Sequence, residues 1–352
     1  MKILLVRLRQ IGDVVFTTPA VRALRDHFPD AHLTYLVEPA AAPVVAHNTA
    51  IDDVVVAPRG RGLSGWRADL AIGLGLRRQR YDLAIDFHGG PRASLLTWLS
   101  RARERVGYDV AGRSWMYTTR VGRPRALRSR HSVENQWDLL TALGVPAPDA
   151  ARYPVEMPVE AAAERSARAR LADGNVGPDD RLIVLHVSAG NPFRRWPVEA
   201  FGEVASTLAG RMANRRIVVT SGPSDAGAAA RVIACARERL APDARARILA
   251  GGDVSLAALR ALVDRAALYV GGDSGPMHIA ATSHVPIIAL YGPTLPARSA
   301  PWRAAAFCSV PIEVDDLPCR PCDQRVCLPG DYRCLGRIQP GEVIAAAERL
   351  LH

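Results

Sequence analysis

Short apolar runs alternate with longer helix-period stretches from one end of this chain to the other, and that alternation leaves few folds open. Ile3 to Val6, Leu33 to Val37, Val54 to Val56 and Leu83 to Asp86 read as buried strands, with helical patterns such as Pro19 to Phe28 and Ser94 to Ser100 between or after them. A strand that is apolar on both faces belongs in a parallel sheet with helices on either side, so the class is α/β. Prolines then crowd the stretch "VPAPDAARYPVEMP", Val145 to Pro158, which reads as a linker. After it the pattern restarts, with strands at Leu182 to His186, Ile217 to Thr220, Ile248 to Ala250, Leu268 to Val270 and Ile287 to Leu290. The chain therefore divides into two similar α/β domains, 1–155 and 156–335. A last amphipathic helix within 336–352, opened by Pro340-Gly341, is expected to pack back toward the first domain. At 352 residues and 49% hydrophobic content there is material for two cores.

A net charge of +10, carried almost wholly by arginine, favours acidic partners: nucleic acid, an anionic membrane or a phosphorylated substrate. No zinc-finger spacing, aromatic-glycine RNA signature or basic heptad is present, so no nucleic-acid partner is expected. The apolar opening is broken by Arg7 and Arg9, and no later stretch stays apolar long enough to span a bilayer. The expected location is the cytoplasm, with peripheral contact at the cytoplasmic face of the inner membrane.

Two motifs carry chemistry. "YVGGDSGPMHIAA", Tyr269 to Ala281, nearly spells the nucleophile segment of a trypsin-like protease, but that fold needs antiparallel barrels and an upstream histidine, whereas this segment lies in a βαβ repeat. The alternative is a strand, a Gly271-Gly272 turn and a helix opening near Ser274, whose unpaired N–H groups attract an anion. Asp273 and Ser274 then either bind a phosphate or only cap the helix, and His278 sits one turn further on. "RLRQIGDVVFTTPAVRAL" repeats the device after the first strand. Gly12 lacks the partner glycines of a dinucleotide fingerprint, and Asp13 is either an N-cap or a general base.

Taken in order, "ILLVRLRQIGDVVFTTPAVRAL", "DLAIDFHGGPRASLL", "RRWPVEAF", "GPSD", "GGDSGPMHIAA" and the tail "CLPGDYRCLGRIQPGEV" resemble glycosyltransferase family 9, the ADP-heptose:lipopolysaccharide heptosyltransferases. The resemblance implies a GT-B fold, two Rossmann-like domains facing each other across a cleft, with the acceptor on the N-terminal domain and the nucleotide sugar on the C-terminal one. It implies Asp13 as catalytic base. Arg194 falls where relatives carry a lysine on the donor phosphates, Asp225 where they carry a glutamate on the ribose or base, and Asp273, Ser274, Gly275 and His278 in the phosphate-binding segment. Ser188 is a further donor-side candidate. The implied reaction is inverting transfer of a heptose from ADP-heptose to an anionic glycolipid, the Kdo or heptose region of the lipopolysaccharide inner core.

Base removal of the acceptor proton and charge stabilisation of the leaving diphosphate by Arg194 and the helix start need no catalytic cofactor. Arg59, Arg61 and Arg92 are the acceptor-side candidates, with Arg77 and Arg78 nearby. Cys319-x2-Cys322-x4-Cys327-x6-Cys334 is close to metal-ligand spacing, and these four are either a structural zinc or iron site or reduced loop cysteines. Two rival readings stand beside this one. One is a same-fold glycosyltransferase with another nucleotide sugar, or with a glycan, protein or natural-product acceptor. The other is a non-catalytic sugar-nucleotide-binding protein, which would have no need of a base at Asp13.

Overall fold

The structure, a computed structural model, describes residues 1–122, 130–222, 225–322 and 324–352. The chain forms two compact units, Met1–Pro158 and Val159–His352, so the division falls at the last proline of the expected linker. The first unit holds β1 (Lys2–Val6), β2 (His32–Val37), β3 (Asp53–Val56), β4 (Leu83–Asp86), β5 (Glu104–Tyr108) and β6 (Thr119–Val121) in one parallel sheet, ordered β3-β2-β1-β4-β5-β6. The second holds β7 (Arg181–His186), β8 (Arg215–Ser221), β9 (Ile248–Asp253), β10 (Leu268–Gly272), β11 (Ile287–Tyr291) and β12 (Ser309–Glu313), again all parallel, ordered β12-β11-β10-β7-β8-β9. Relabelled from its own first strand, the second order equals the first. Both are Rossmann-like.

In each sheet the winding reverses between two neighbouring strands, β1 and β4 in the first and β7 and β10 in the second. The two chains leaving such a pair diverge to opposite faces, which opens a crevice at the carboxyl ends of the strands, the place where α/β sheets bind ligands. Val6 lies beside Asp86 in one pair, and His186 beside Gly271 in the other.

Every strand read from the sequence is present. Three others, β5, β6 and β12, lie toward the sheet edges and lack the uniform apolar run: β5 opens on Glu104-Arg105, β6 is three residues long, and Pro311 interrupts β12, as an edge strand tolerates. The first core gathers Leu4, Val6, Leu36, Ala84 and Leu96; the second gathers Leu185, Val204, Leu208, Val270 and Ile288.

The terminal helix, Pro340–Leu351, is built into the core of the second unit, where Val343, Ala347 and Leu351 are buried among the same side chains. Its partner is the helix Val198–Arg211. Glu348, on the same helix, accepts two hydrogen bonds of 2.7 Å from Arg215, which is 3% exposed, so the charge that an amphipathic helix usually turns to solvent is an anchor here.

Candidate active site

Donor-side candidates gather at the carboxyl end of the second sheet, on the turns that follow β7, β8 and β10. Ser274 is the N-cap of the six-residue helix Gly275–Ala280, but its side chain makes no capping bond. Its hydroxyl oxygen is buried with no partner among the described residues. Asp273, 2% exposed, does not cap either. It accepts from the Thr294 hydroxyl, and Arg194 Nη1 lies 3.3 Å from its Oδ2 and donates to its backbone oxygen at 2.9 Å. On its other side His278 Nε2 lies 3.3 Å from Oδ1. Burial alone would raise this carboxyl, but His278, Arg194 and Thr294 outweigh burial and hold it at about 2.

Arg194 is held from two sides. Gln324 accepts from its Nε at 2.8 Å, and Asp273 takes Nη1. No described residue accepts from Nη2, so one edge of the guanidinium fork has no protein acceptor there. The local sequence explains the placement: Trp196 is buried against Phe201, with ring centroids 4.9 Å apart, and donates its indole N–H to Ile338 O. That anchor sets the two preceding arginines over the strand ends. Arg195 reaches Asp225 Oδ1 at 2.8 Å, and Ser188 donates to Asp225 Oδ2, so both oxygens of the 4%-exposed carboxylate are held from the segment after β7. Pro223 and Ser224 of the Gly-Pro-Ser-Asp turn lie outside the described residues. His186, at the end of β7, bonds Thr220 at 3.0 Å; burial pulls its ring down to about 4 against the opposing pull of Asp225. Two cavities of about 250 Å³ flank the end of the helix Ala161–Asp173 and contain none of these residues.

In the first unit, Asp13 lies in the first turn of the helix Ile11–Val15, directly after β1. The N-cap is Gln10, which excludes the plain capping reading of Asp13. Its carboxylate pairs with Arg7 and its side chain is 36% exposed. Arg7 is oriented in turn by a 2.6 Å bond from Nη1 to Phe87 O. One strand over, Asp86 is fully buried and accepts from Tyr117 Oη at 2.6 Å and from the N–H groups of His88 and Gly89 at 2.9 Å. Burial pushes its carboxyl up against these bonds. At the ends of β1 and β4 the first unit thus holds the partly exposed carboxylate of Asp13 and the buried carboxylate of Asp86.

The glycosyltransferase family 9 (heptosyltransferase) model matches residues 70–332, well over half of the chain. The chain belongs to glycosyltransferase family 9. It is 28% identical over 350 residues to lipopolysaccharide heptosyltransferase 3 of Escherichia coli, an alignment covering 97% of this chain and 96% of the relative. A family 9 glycosyltransferase from Veillonella parvula superposes with a TM-score of 0.84 at 25% identity, covering 99% of this chain and 97% of that one. ADP-heptose lipopolysaccharide heptosyltransferase II of E. coli does so with 0.80 at 20% identity, covering 100% and 98%. As a family 9 enzyme the chain is a heptosyltransferase-like glycosyltransferase, and its two Rossmann-like units are the GT-B class.

Within this family 9 chain one sequence expectation fails. Arg92 is not open to an acceptor. Nε and Nη2 bond Asp69, Nη1 bonds Glu38 at 2.7 Å and Ala57 O, and Nη2 also donates to Pro58 O, so the whole fork serves to clamp three elements of the first unit together. Arg59 and Arg61 are exposed just before the helix Gly62–Arg78 and meet no such carboxylates. Cys319, Cys322, Cys327 and Cys334 are free thiols and partly buried, and among the described residues no three His, Cys, Asp or Glu side chains are grouped as metal ligands. The loop that carries them has another attachment, because Gln324 bonds Asn191 and Arg194, and Tyr332 packs edge-on against Phe193 at 5.3 Å. Sequence reasoning missed Arg195, Thr294, Gln324 and Asp86. Arg195 had a signal in its adjacency to Arg194, whereas the others are set by contacts across the fold.

Proposed function

We propose that this chain moves a heptose from ADP-heptose to the Kdo or heptose region of a lipopolysaccharide inner core, with inversion at the anomeric carbon and Asp13 as general base. The observation that carries the donor half is that Arg194, whose Nη2 meets no acceptor among the described residues, holds Asp273, the neighbour in the chain of Ser274, whose buried hydroxyl has no partner among them, at the carboxyl end of β10. A cation, a hydroxyl donor and a helix start collected on one strand end suit a diphosphate, and they stabilise the negative charge that grows on ADP as the glycosidic bond breaks. Ser188, Asp225 and Arg195 follow the neighbouring strands, and in this reading the Asp225 carboxylate that the other two hold takes a ribose hydroxyl of the donor.

Asp13 takes the proton of the attacking acceptor hydroxyl. Of the two carboxylates at the switch point of the first unit it is the exposed one, and Arg7 orients it. Because Arg194 and the helix start supply the positive charge, turnover proceeds without a divalent metal. The acceptor is an anionic glycolipid met at a membrane surface, with Arg59 and Arg61 on its side of the reaction.

The E. coli relative is a lipopolysaccharide heptosyltransferase over nearly its full length, which favours this donor over another nucleotide sugar. The test is incubation with ADP-heptose and a panel of other nucleotide sugars, with a Kdo-lipid A acceptor and with EDTA present or absent. ADP released only from ADP-heptose, only with acceptor and at equal rates under EDTA is the expected result. Release from a different nucleotide sugar, or a magnesium-dependent rate, would overturn the donor assignment or the metal-free mechanism respectively.

A further inference from the structure

The helix Gly62–Arg78 is built inside out. Its buried residues include Gly65, Gly73 and Leu76, and Gly73 lies so close to Leu99 of the helix Pro91–Leu99 that a Cβ there would come within 2.7 Å of the leucine Cδ1. The large apolar residues are outside: Leu63 is 81% exposed, Trp66 68%, Leu70 51% and Leu74 46%. At about 100° per residue these four fall within an arc of roughly 80°, opposite the buried Gly65 and Leu76 and bordered on one side by the packed Gly73. Arg67 and Arg78 fall along the other border of this arc and Arg77 lies within it at the last turn, all three exposed. From Arg59 to Arg80 the chain holds six arginines and one acid, Asp69, and that acid is bound to Arg92. The face is therefore apolar along its centre and cationic along one edge and at its last turn, and the one acid of the segment is already paired.

We infer that this face is a docking surface for an anionic lipid bilayer. A helix lying in the interface buries leucine and tryptophan at the boundary between headgroups and acyl chains, while arginine stems run along it and keep their guanidinium groups among lipid phosphates. Both halves of that pattern are present on one side of this helix. A second copy of the chain is the poorer occupant, because a two-fold pairing of this face would bring two rows of arginine together. Among the described residues no helix is long and apolar enough to cross a membrane, so the attachment is to a surface. The inference deepens the reading of a membrane-held acceptor and rests on it for its purpose: docking would hold the first unit at the surface where a glycolipid headgroup stands.

The test is co-sedimentation of the full chain with vesicles of phosphatidylcholine alone or of phosphatidylcholine with phosphatidylglycerol. Wild type should bind the anionic vesicles at least about tenfold more tightly than the neutral ones. The double variant Leu70→Asp/Leu74→Asp should lose at least about tenfold on the anionic vesicles, with its melting temperature unchanged because both side chains are already exposed. Leu63→Ser/Trp66→Ser is the second variant, should the first fail to fold. Brominated lipid should quench a share of the tryptophan emission that disappears in Trp66→Phe. Variants that bind like wild type, or a wild type that ignores both vesicles, would overturn the inference, as would a wild-type dimer that the double variant dissociates without any vesicle binding. Turnover on a deacylated, soluble acceptor separates this outcome from the function: the double variant should keep it. Vesicle binding without any turnover would sink the proposed reaction and leave the docking surface standing.

Discussion

Replacing Arg194 by alanine removes three things at once, and the structure assigns a size to each. The Nη2 edge, which no described residue occupies, is the part available to a diphosphate, and a hydrogen bond to a charged group contributes about 1.5–3 kcal/mol. ADP affinity should therefore fall about 10- to 150-fold. The Nη1 bonds hold Asp273, which is 2% exposed and would keep only His278 and Thr294, so stability should drop by about 1–3 kcal/mol as well. The Nε bond to Gln324 ties down the cysteine-bearing loop, which should become more open to proteolysis. Calorimetric titration with ADP, thermal melting without ligand and limited digestion read the three effects separately. Arg194→Lys keeps the charge but not the fork, and should recover part of the affinity and little of the loop attachment. If Arg194→Ala bound ADP within about twofold of wild type while its melting temperature fell, Arg194 would be a clamp for Asp273 and not a phosphate ligand, and the reasoning from the unclaimed edge would fail.

That distinction between a clamp and a ligand marks where the sequence stops being informative. Strands such as Leu182 to His186 are legible because an apolar run of that length has one use in a parallel sheet, and Asp13, Ser188, Asp273 and Ser274 are legible because each follows such a run at a small-residue turn. Arg92 and Arg194 look alike at that level, each a cation shortly after a strand. What separates them lies elsewhere in the chain: Arg92 meets Glu38 and Asp69, 54 and 23 residues away, and all of its donors are consumed, while among the described residues Arg194 meets a single carboxylate. The helix Gly62–Arg78 is illegible for a different reason. Reading inward-facing positions from large apolar residues gives the wrong face when glycines do the packing and leucines point out. The terminal helix shows a third limit, since its amphipathic pattern announces a partner without saying which, and only the contact with Val198–Arg211 and the Glu348–Arg215 pair identify it.

Further outcomes follow from the carboxylates and their cations. Asp273 is held at about 2 against an ordinary 3.8, so its folded form is favoured above the unfolded value and the contribution, roughly 2 kcal/mol, is lost as pH falls from about 4 toward 2; acid denaturation of Asp273→Asn should lack that part of the transition. Arg92→Ala leaves Glu38 and Asp69 partly buried without their cation and should cost about 3–5 kcal/mol in denaturant unfolding; an unchanged stability with a raised acceptor KM would return Arg92 to the acceptor site. Asp13→Asn bears most directly on the reaction. The substitution keeps the shape of a residue that is not the N-cap, loses its pairing with Arg7, and lies in the first unit, apart from Arg194 and Ser274 in the second. ADP affinity should stay at the wild-type value, melting should shift little because the side chain is about one-third exposed, and kcat should fall about 10²- to 10⁴-fold, the usual cost of losing a general base. A base that acts by proton removal also predicts that the residual rate becomes steeper in hydroxide concentration, since solvent must now supply the acceptor for the proton. A near-normal kcat would mean that Asp13 only orients Arg7, and the proton would then have to leave by another group than the partly exposed carboxylate at the first switch point.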